Sequence, residues 1–489
     1  MMDVLTQAPD SPEVGRAGAP LALVKDDPQV VPYTALFARL EWAGEPAWLG
    51  ALRRRGIERF AALGFPTTKD EDWHFTSVAP LASRVFGVSE GRHRDASRSG
   101  HLLVEQATAP HPKGSELAQR LVDQQVTEAA LAPFVFGQDW HTLVFVNGVF
   151  VPGLSRSALA DGDFYIGSFA EALAVMPRVL EQRLSTLASF QDNTFTALNT
   201  AFLQDGAVLV VRPNVVVDRP IHLLFVTDGN AEGEMISPRT LILADQYAQA
   251  TVVESYVSLG SATYFTNAVS EVSVSAGARV RHYKIQRESA AAYHVGSSYV
   301  YQQRDSHYES FSFATGGDLS RTNIATVLDG PGAHVTLNGL YMAGGTQTID
   351  HQTRIEHVKE HCTSHEVYKG VLDDAAHAVF NGKVYVQPEA QKTDGKQSNN
   401  NLLLSERAHV DTKPQLEIFA DDVKCTHGAT IGRLDETALF YLKSRGVGPE
   451  LARRLLTYAF AAGVLEELTV DDVRTRLEEL TFQRFGVDA

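Results

Sequence analysis

Apolar residues divide the chain into a helical beginning, a long middle of short strands and a helical end. Over residues 33–63 they recur every three or four positions, which predicts one amphipathic helix that ends at Gly64. A second helix is expected over residues 116–131. Residues 1–30 show no period, so we expect a mobile tail there. Residues 31–140 are therefore interpreted as a mainly helical N-terminal domain.

Short runs of β-forming residues dominate residues 141–434. Leu143–Val146, Val208–Val211 and Leu223–Val226 are typical, and Gly, Asn and Asp separate such runs. Helical periodicity is nearly absent across these almost three hundred residues. The fold class predicted from this pattern is mainly β.

An imperfect repeat runs through the β-rich region. The pair Ala333-His334 recurs as Ala376-His377 and as Ala408-His409. Repeats of this kind predict a β-solenoid, in which each turn buries its apolar face against the next. A large β-sandwich, or two of them, fits the same pattern equally well.

Helical periodicity returns in residues 435–489. Asp435 is placed to cap a first helix and Pro449 to begin a second. Thr469 with Asp472 resembles the start of a third helix. We expect these helices to form a separate C-terminal domain.

Charge and cysteine content narrow the possible functions. The chain of 489 residues has a net charge of −16, so nucleic acid and anionic lipid are unfavourable partners. Its two cysteines cannot form a disulfide framework, and reduced thiols fit a cytoplasmic protein. Neither a secretory signal nor a long apolar run is visible, so we expect no membrane association.

Cys425 and His427 are the first candidate metal ligands. On a strand, residues two apart point to the same face, and a thiolate and an imidazole can both bind a soft or borderline metal. Two ligands do not complete a tetrahedral site, so a partner chain or a transient cluster would have to supply the others. The alternative is a buried cysteine beside a hydrogen-bonded histidine.

A second group of potential ligands lies between residues 350 and 365. It could bind a metal, or it could be a run of polar residues on a turn of the solenoid. No zinc-protease motif is present, and the chain contains neither a phosphate-binding loop nor a dinucleotide fingerprint. The members of this group are His351, His357, His361, Cys362 and His365, with Asp350, Glu356 and Glu360.

Several long phrases of the sequence resemble the SufB/SufD family of iron–sulfur cluster assembly proteins. The resemblance is closest to the SufD branch, because Lys424–Thr430 has its Lys-Cys-Thr-His-Gly-Ala-Thr form. The cysteine that serves SufB proteins as a cluster ligand is missing, since no cysteine lies between Cys362 and Cys425. The matching phrases are Gly64–Trp73, Val379–Lys383, Ala390–Asp394, Asn401–Ser405, Thr412–Ile418, Ala420–Thr430 and Leu439–Gly446.

The resemblance implies a right-handed parallel β-helix flanked by N-terminal and C-terminal helical domains. It also implies a complex with SufB and with two copies of SufC, an ABC-type ATPase. SufB would pair with the β-helix, and residues 435–489 would dock SufC. His427 would face the SufB interface with Cys425 beside it.

By the same resemblance the chain is a scaffold and not an enzyme on its own. It would hold no permanent cofactor, although an iron–sulfur cluster or iron could bind transiently at the SufB interface. A purely structural brace that gives no cluster ligand remains an alternative. A β-helix enzyme acting on polysaccharides is less compatible with the missing secretory signal. Whether the isolated chain forms a homodimer is left open.

Overall fold

The centre of the molecule is a parallel β-solenoid. The computed structural model describes residues 27–40, 44–88, 126–156 and 162–486. Two ten-stranded sheets run along the solenoid. The strands are β1 (His141–Val146), β2 (Val149–Phe150), β3 (Phe164–Ser168), β4 (Ala207–Val211), β5 (Ile221–Thr227), β6 (Met235–Ile236), β7 (Arg239–Ala244), β8 (Gln249–Ser258), β9 (Phe265–Val274), β10 (Arg279–Arg287), β11 (Tyr293–Gln302), β12 (His307–Ala314), β13 (Leu319–Leu328), β14 (His334–Ala343), β15 (Thr348–His357), β16 (Thr363–Leu372), β17 (His377–Val386), β18 (Asp394–Leu403), β19 (His409–Ile418) and β20 (Lys424–Gly432).

Helices lie before, within and after the strand region. Short 3-10 turns connect some of them. The α-helices of the described residues are α1 (Val31–Arg39), α2 (Ala47–Leu63), α3 (Ala79–Ala82), α4 (Glu128–Leu131), α5 (Phe169–Val175), α6 (Pro177–Arg183), α7 (Thr194–Phe202), α8 (Glu436–Ser444), α9 (Pro449–Leu465) and α10 (Asp471–Phe485).

From β8 onward the chain alternates between the two sheets. Even-numbered strands form the first sheet and odd-numbered strands the second, and neighbours within each sheet are parallel and in register. Because side chains alternate along a strand, in-register stacking creates columns that point either into the solenoid or outward. The interior columns form the largest apolar core, with Val335, Leu337, Tyr341, Ile349 and Phe380 among its members. The predicted mainly β fold with a β-solenoid and helices at both ends is confirmed, and the β-sandwich interpretation is wrong.

The first part of the β-rich region departs from the regular coil. β3 and β4 are antiparallel, and α5, α6 and α7 lie between them, where the sequence pattern predicted no helices. Ser168 and Glu171 form a capping box at α5, a local signal that the prediction missed. Gly56 of α2 sits where an added Cβ would lie 2.8 Å from the backbone nitrogen of Ala201, so only glycine allows α2 and α7 to approach this closely.

The N-terminal helical region begins earlier and is more divided than predicted. Residues 27–30 form a turn, and Val30 is buried against the helices, so this end of the predicted tail belongs to the folded domain. The single helix expected over residues 33–63 is instead two helices, since Pro46 has an extended backbone and precedes α2 as its N-cap. Gly64, with φ of 67°, does end α2.

The tail expected over residues 1–30 and the helix expected over residues 116–131 are only partly covered by the structure. Residues 1–26 and 116–125 lie outside the described residues. The last residues of the helix expected over 116–131 are helical as α4, where the Thr127 side chain accepts from the Ala130 nitrogen as an N-cap.

The C-terminal helices pack on the solenoid. α9 and α10 bury Ala461, Val464, Leu465, Val473 and Leu477 against outward-facing residues of the first sheet. The predicted C-terminal helices are present, and α9 and α10 are docked on the solenoid, because they cover an apolar face of the sheet. Within the described residues, no helix is long and apolar enough to cross a membrane.

The predicted helix starts are only partly correct. Asp435 caps α8 by accepting from the Thr437 nitrogen at 2.8 Å, and Pro449 begins α9, both as predicted. Thr469 does not cap α10, because its hydroxyl instead lies 3.1 Å from the Tyr283 hydroxyl and 3.3 Å from a Glu309 oxygen. A tertiary contact here replaces the local cap.

Candidate functional site

The solenoid ends in strands that no further described strand covers. β20 is the last strand of the first sheet and β19 the last of the second. Ile431 continues the interior column of Tyr341, Gly370 and Asn401, yet the residue is 53% exposed. Ile418 is similarly exposed at the end of another interior column. Core positions are thus open to solvent at this end.

Cys425 and His427 lie on this last strand, and both continue interior columns. Cys425 stacks on Gly395, and His427 stacks on Gln397. Cys425 is half-buried and contacts an apolar cluster that includes Val384 and Ala420, and burial raises the pKa of its thiol. His427 is exposed. The predicted same-face arrangement of the two side chains is therefore present, at the open end of the coil.

A polar column leads from the interior to His427. Glu366, Gln397 and His427 occupy the same position on successive rungs. The Gln397 side-chain nitrogen donates to a Glu366 oxygen at 2.6 Å. Burial raises the pKa of Glu366 to about 7, although its hydrogen bonds oppose the shift. His427 is thus the exposed end of a buried polar stack.

This pair can contribute two ligands, but it cannot enclose a metal alone. A cysteine sulfur and a histidine nitrogen suit iron or an iron–sulfur cluster, provided that the thiol loses its proton on binding. Since both side chains are accessible from the open end, a second protein chain could supply the remaining ligands. The arrangement therefore fits a shared site better than a closed structural one.

The second group of candidate ligands is not brought together. His351 and His357 point into the solenoid, where Ser312 and Ser364 lie 3.1 and 2.9 Å from their ring nitrogens. Burial lowers the pKa of His351 to about 3 and that of His357 to about 4, so both rings are neutral. His361 lies in a turn with φ of 60°.

Three further members of that group, Cys362, Asp350 and Glu356, are also engaged separately. Cys362 is buried, its thiol donates to the Gly330 carbonyl at 3.2 Å, and burial raises its pKa to about 11. Asp350 pairs with Arg321 and Glu356 with Arg354. These contacts support the interpretation of this segment as polar residues within solenoid rungs.

A different cluster of potential ligands was missed by the sequence analysis. His377 on β17 and His409 and Asp411 on β19 place one ligand atom each within 4.8 Å of one another. The Nε2 atoms of His377 and His409 lie 2.8 and 3.3 Å from the same Asp411 oxygen. The Ala-His repeat marked both histidines, but only the register of β17 on β19 shows that they meet.

The solenoid interior also contains paired charges. Glu254 accepts from Tyr256 at 2.8 Å and from Ser270 at 2.9 Å, and a His282 nitrogen lies 3.1 Å away. Burial alone would raise the pKa of Glu254, but His282 and Lys284 lower it to about 2. These contacts compensate the buried carboxylate, so we assign it a structural role.

Two regions of the chain match models of known protein families. Residues 225–460 match the model of the SufBD core domain of the SUF system for FeS cluster assembly, and residues 135–223 match the SufBD protein N-terminal region. Iron-sulfur cluster assembly protein SufD of Escherichia coli is 33% identical over 86% of this chain and 89% of its own length.

The chain belongs to the SufB/SufD family.

Other members of the SufB/SufD family are similar over comparable lengths. An iron-sulfur cluster assembly SufBD family protein of Synechocystis is 32% identical over 87% of this chain and 89% of its own. Iron-sulfur cluster assembly protein SufD of Bacillus subtilis is 27% identical over 88% and 93%, respectively. The family expected from the sequence phrases is therefore confirmed, and with it a SufD-like relation to iron–sulfur cluster assembly.

Proposed function

We propose that this SufB/SufD-family protein is a non-catalytic scaffold for iron–sulfur cluster assembly and that the cluster forms at the open end of its solenoid. In this proposal SufB covers β19 and β20, and Cys425 and His427 donate transient ligands to the cluster or to iron. The cluster is cargo, and the chain retains no permanent cofactor. The observation that carries the proposal is the position of both side chains on the uncovered last rung.

The open end supports an interface with another chain. The terminal rung of a solenoid must be covered by a cap to shield the apolar interior, and free strand edges favour pairing with additional strands. Ile418, Phe419 and Ile431 are each exposed, on β19, on the segment that follows it and on β20, respectively. A second SufB/SufD-family chain has strands of the matching geometry, so SufB is the occupant that we propose.

A second apolar surface supports the docking of SufC. Phe440 and Tyr441 on α8 and Leu451 on α9 are exposed, and Phe440 is the most exposed of the three at 72%. Leu439, on the same helix, is buried, so α8 presents an outer apolar side to solvent. We propose that this outer side of α8 and the start of α9 form the contact with SufC.

The role in cluster assembly is tested with His427→Ala in the complete complex with SufB and SufC. We expect normal assembly of the three proteins but a strong loss of iron and acid-labile sulfide incorporated during reconstitution. Cys425→Ser should reduce the yield as well, and His427→Cys should retain part of it, because a thiolate can replace the imidazole as a ligand. His361→Ala, in an exposed turn elsewhere, serves as the control.

The same experiment separates a ligand from a brace. If His427 only holds the interface by hydrogen bonding, His427→Ala weakens the complex itself and His427→Gln restores it. An intact complex of the alanine variant with full cluster yield would refute the ligand assignment. Size-exclusion chromatography and metal analysis of the same sample distinguish these outcomes.

A further inference from the structure

The cluster of His377, His409 and Asp411 lies apart from Cys425 and His427. It is on the second sheet, near the start of β17 and β19, whereas Cys425 and His427 are on β20 of the first sheet. Its neighbours along the strands, Ala378 and Val410, belong to the apolar core. Because side chains alternate, the two histidines and Asp411 point outward from the sheet.

Regular backbone pairing holds the three side chains together. His377 is directly opposite His409 in the parallel register of β17 and β19, and Asp411 follows His409 by two residues on the same face. The backbone nitrogen of His409 donates to the Ala376 carbonyl at 3.0 Å, and the backbone nitrogen of His377 donates to the Gln347 carbonyl at 2.9 Å. The ligand positions are therefore fixed by the sheet and do not depend on a flexible loop.

The distances suit a small metal ion. Tetrahedral coordination with bonds of about 2.0–2.1 Å separates two ligand atoms by about 3.3 Å. The distances from the Asp411 oxygen to the His377 and His409 nitrogens, 2.8 and 3.3 Å, are close to this separation. The two imidazole rings are stacked with their centroids 5.4 Å apart, and one nitrogen of each ring lies near the same Asp411 oxygen.

The cluster is also accessible. The side chain of His409 is 67% exposed, and those of His377 and Asp411 are a little over a quarter exposed, at 28% and 27%. Lys413, two residues beyond Asp411, pairs with Glu71 at 3.7 Å. Because the three ligand side chains are partly exposed, an ion can reach the two nitrogens and the carboxylate from solvent.

We propose that His377, His409 and Asp411 form a binding site for a divalent first-row transition-metal ion, with water or a partner residue in the remaining positions. Two imidazoles and one carboxylate are the ligand set of open zinc and non-haem iron sites. Magnesium and calcium prefer oxygen ligands and would bind this set poorly. The site is independent of the proposed cluster ligands on β20.

The test uses the full chain without an affinity tag and in a Cys425→Ser/His427→Ala background. Metal is first removed with a chelator, and Zn²⁺ is then titrated and followed by calorimetry. We expect one Zn²⁺ per chain, and Co²⁺ should give the visible absorption of a low-symmetry site. Mg²⁺ should give no comparable binding.

Asp411→Asn and His409→Ala are the decisive variants. Loss of a mere outer-shell partner weakens metal sites by about 10–100-fold, so loss of a ligand should weaken Zn²⁺ binding at least as much. His334→Ala is the matched control. His334 also lies beside a histidine, His307, but its two ring nitrogens contact the hydroxyls of Thr363 and Thr336. The substitution should leave Zn²⁺ binding unchanged.

Each outcome decides the proposal. Zn²⁺ binding that is lost in both decisive variants and kept in the control supports the site, provided that circular dichroism shows the variants to be folded. Absence of Zn²⁺ binding in the background chain overturns it, and so does unchanged affinity in Asp411→Asn and His409→Ala. Since Cys425 and His427 are already replaced, none of these results depends on the proposed cluster ligands.

Discussion

The guanidinium carbon of Arg321 lies 3.7 Å from the centre of the Trp73 ring. Arg321 also donates to an Asp350 oxygen at 2.7 Å and to the Asp72 carbonyl at 2.7 Å. The Thr76 hydroxyl donates to the same Asp350 oxygen at 2.6 Å. Arg321 and Asp350 both lie in the second sheet, where they form a buried ion pair. The cation–π contact with Trp73 and the hydrogen bonds with Asp72 and Thr76 join the N-terminal segment to this pair.

Removal of Arg321 should strongly destabilise this junction. Arg321→Ala leaves the buried Asp350 carboxylate without its ion-pair partner, which should lower the free energy of unfolding by about 3–5 kcal/mol. Urea denaturation measures the change. Arg354→Ala is the control, since this arginine is about half exposed and its pair with Glu356 is worth about 0–1 kcal/mol. Equal effects of the two substitutions would contradict the assigned role.

The stability should depend on the ionisation of Glu366. Its pKa in the folded chain is raised to about 7, so its stabilising contribution is complete below its ordinary pKa of 4.5 and is lost as the pH rises through 7. Glu366→Gln retains an acceptor for Gln397 and removes the charge. It should therefore gain roughly 1–3 kcal/mol of relative stability between pH 5 and pH 8. Glu389→Gln, at an exposed site, should show no such gain in urea denaturation.

The exposed residue Ile431 at the open end should contribute to SufB binding and not to the stability of the isolated chain. Ile431→Asp places a charge where we propose that SufB packs, so the dissociation constant should increase at least about tenfold. The urea midpoint of the isolated chain should change little, because Ile431 is already exposed. Val216→Asp, at another exposed aliphatic residue, is the control. Unchanged SufB binding in Ile431→Asp would count against this interface.

The two thiols should react differently with an alkylating reagent. Cys362 is fully buried and its pKa is raised to about 11, so it should resist modification in the native chain. Cys425 is only half-buried and should react, and addition of SufB should protect it. Mass spectrometry of the modified peptides measures both. Rapid native labelling of Cys362 would be inconsistent with the described packing.

Truncation after residue 434 should destabilise the β-solenoid. α9 and α10 cover an apolar face that includes Phe311, Phe313 and Leu340, and their removal would expose it to water. We expect an insoluble or aggregated product. Phe440→Ala should instead leave a folded chain with weaker SufC binding, since this side chain is exposed. A soluble, monomeric truncated chain would show that the helices are dispensable for the fold.

Local sequence signals predicted part of the fold and tertiary contacts decided the remainder. Asp435 and Pro449 act within their own helices, so their positions could be read from the sequence. Thr469 looked like a cap, but its contacts with Tyr283 and Glu309 come from strands far away along the chain. Such competition is invisible in a local pattern.

The candidate ligands also separate into a pair that local sequence predicts and a cluster that only the tertiary structure reveals. Cys425 and His427 are two residues apart, so strand geometry alone predicts their common face. His377 and Asp411 are 34 residues apart, and only the length of a complete rung brings them together. The repeated Ala-His pair was the available signal, because a repeated residue in a solenoid stacks on its copy in a neighbouring rung.

The uncovered last rung also affects the fate of the protein in a cell. If SufB covers this rung, as proposed, a chain made in excess of SufB keeps Ile418, Phe419 and Ile431 in contact with water. Exposed apolar residues next to free strand edges promote aggregation and recognition by chaperones and proteases. Under this proposal, the amount of the chain that survives should follow the amount of SufB synthesised with it.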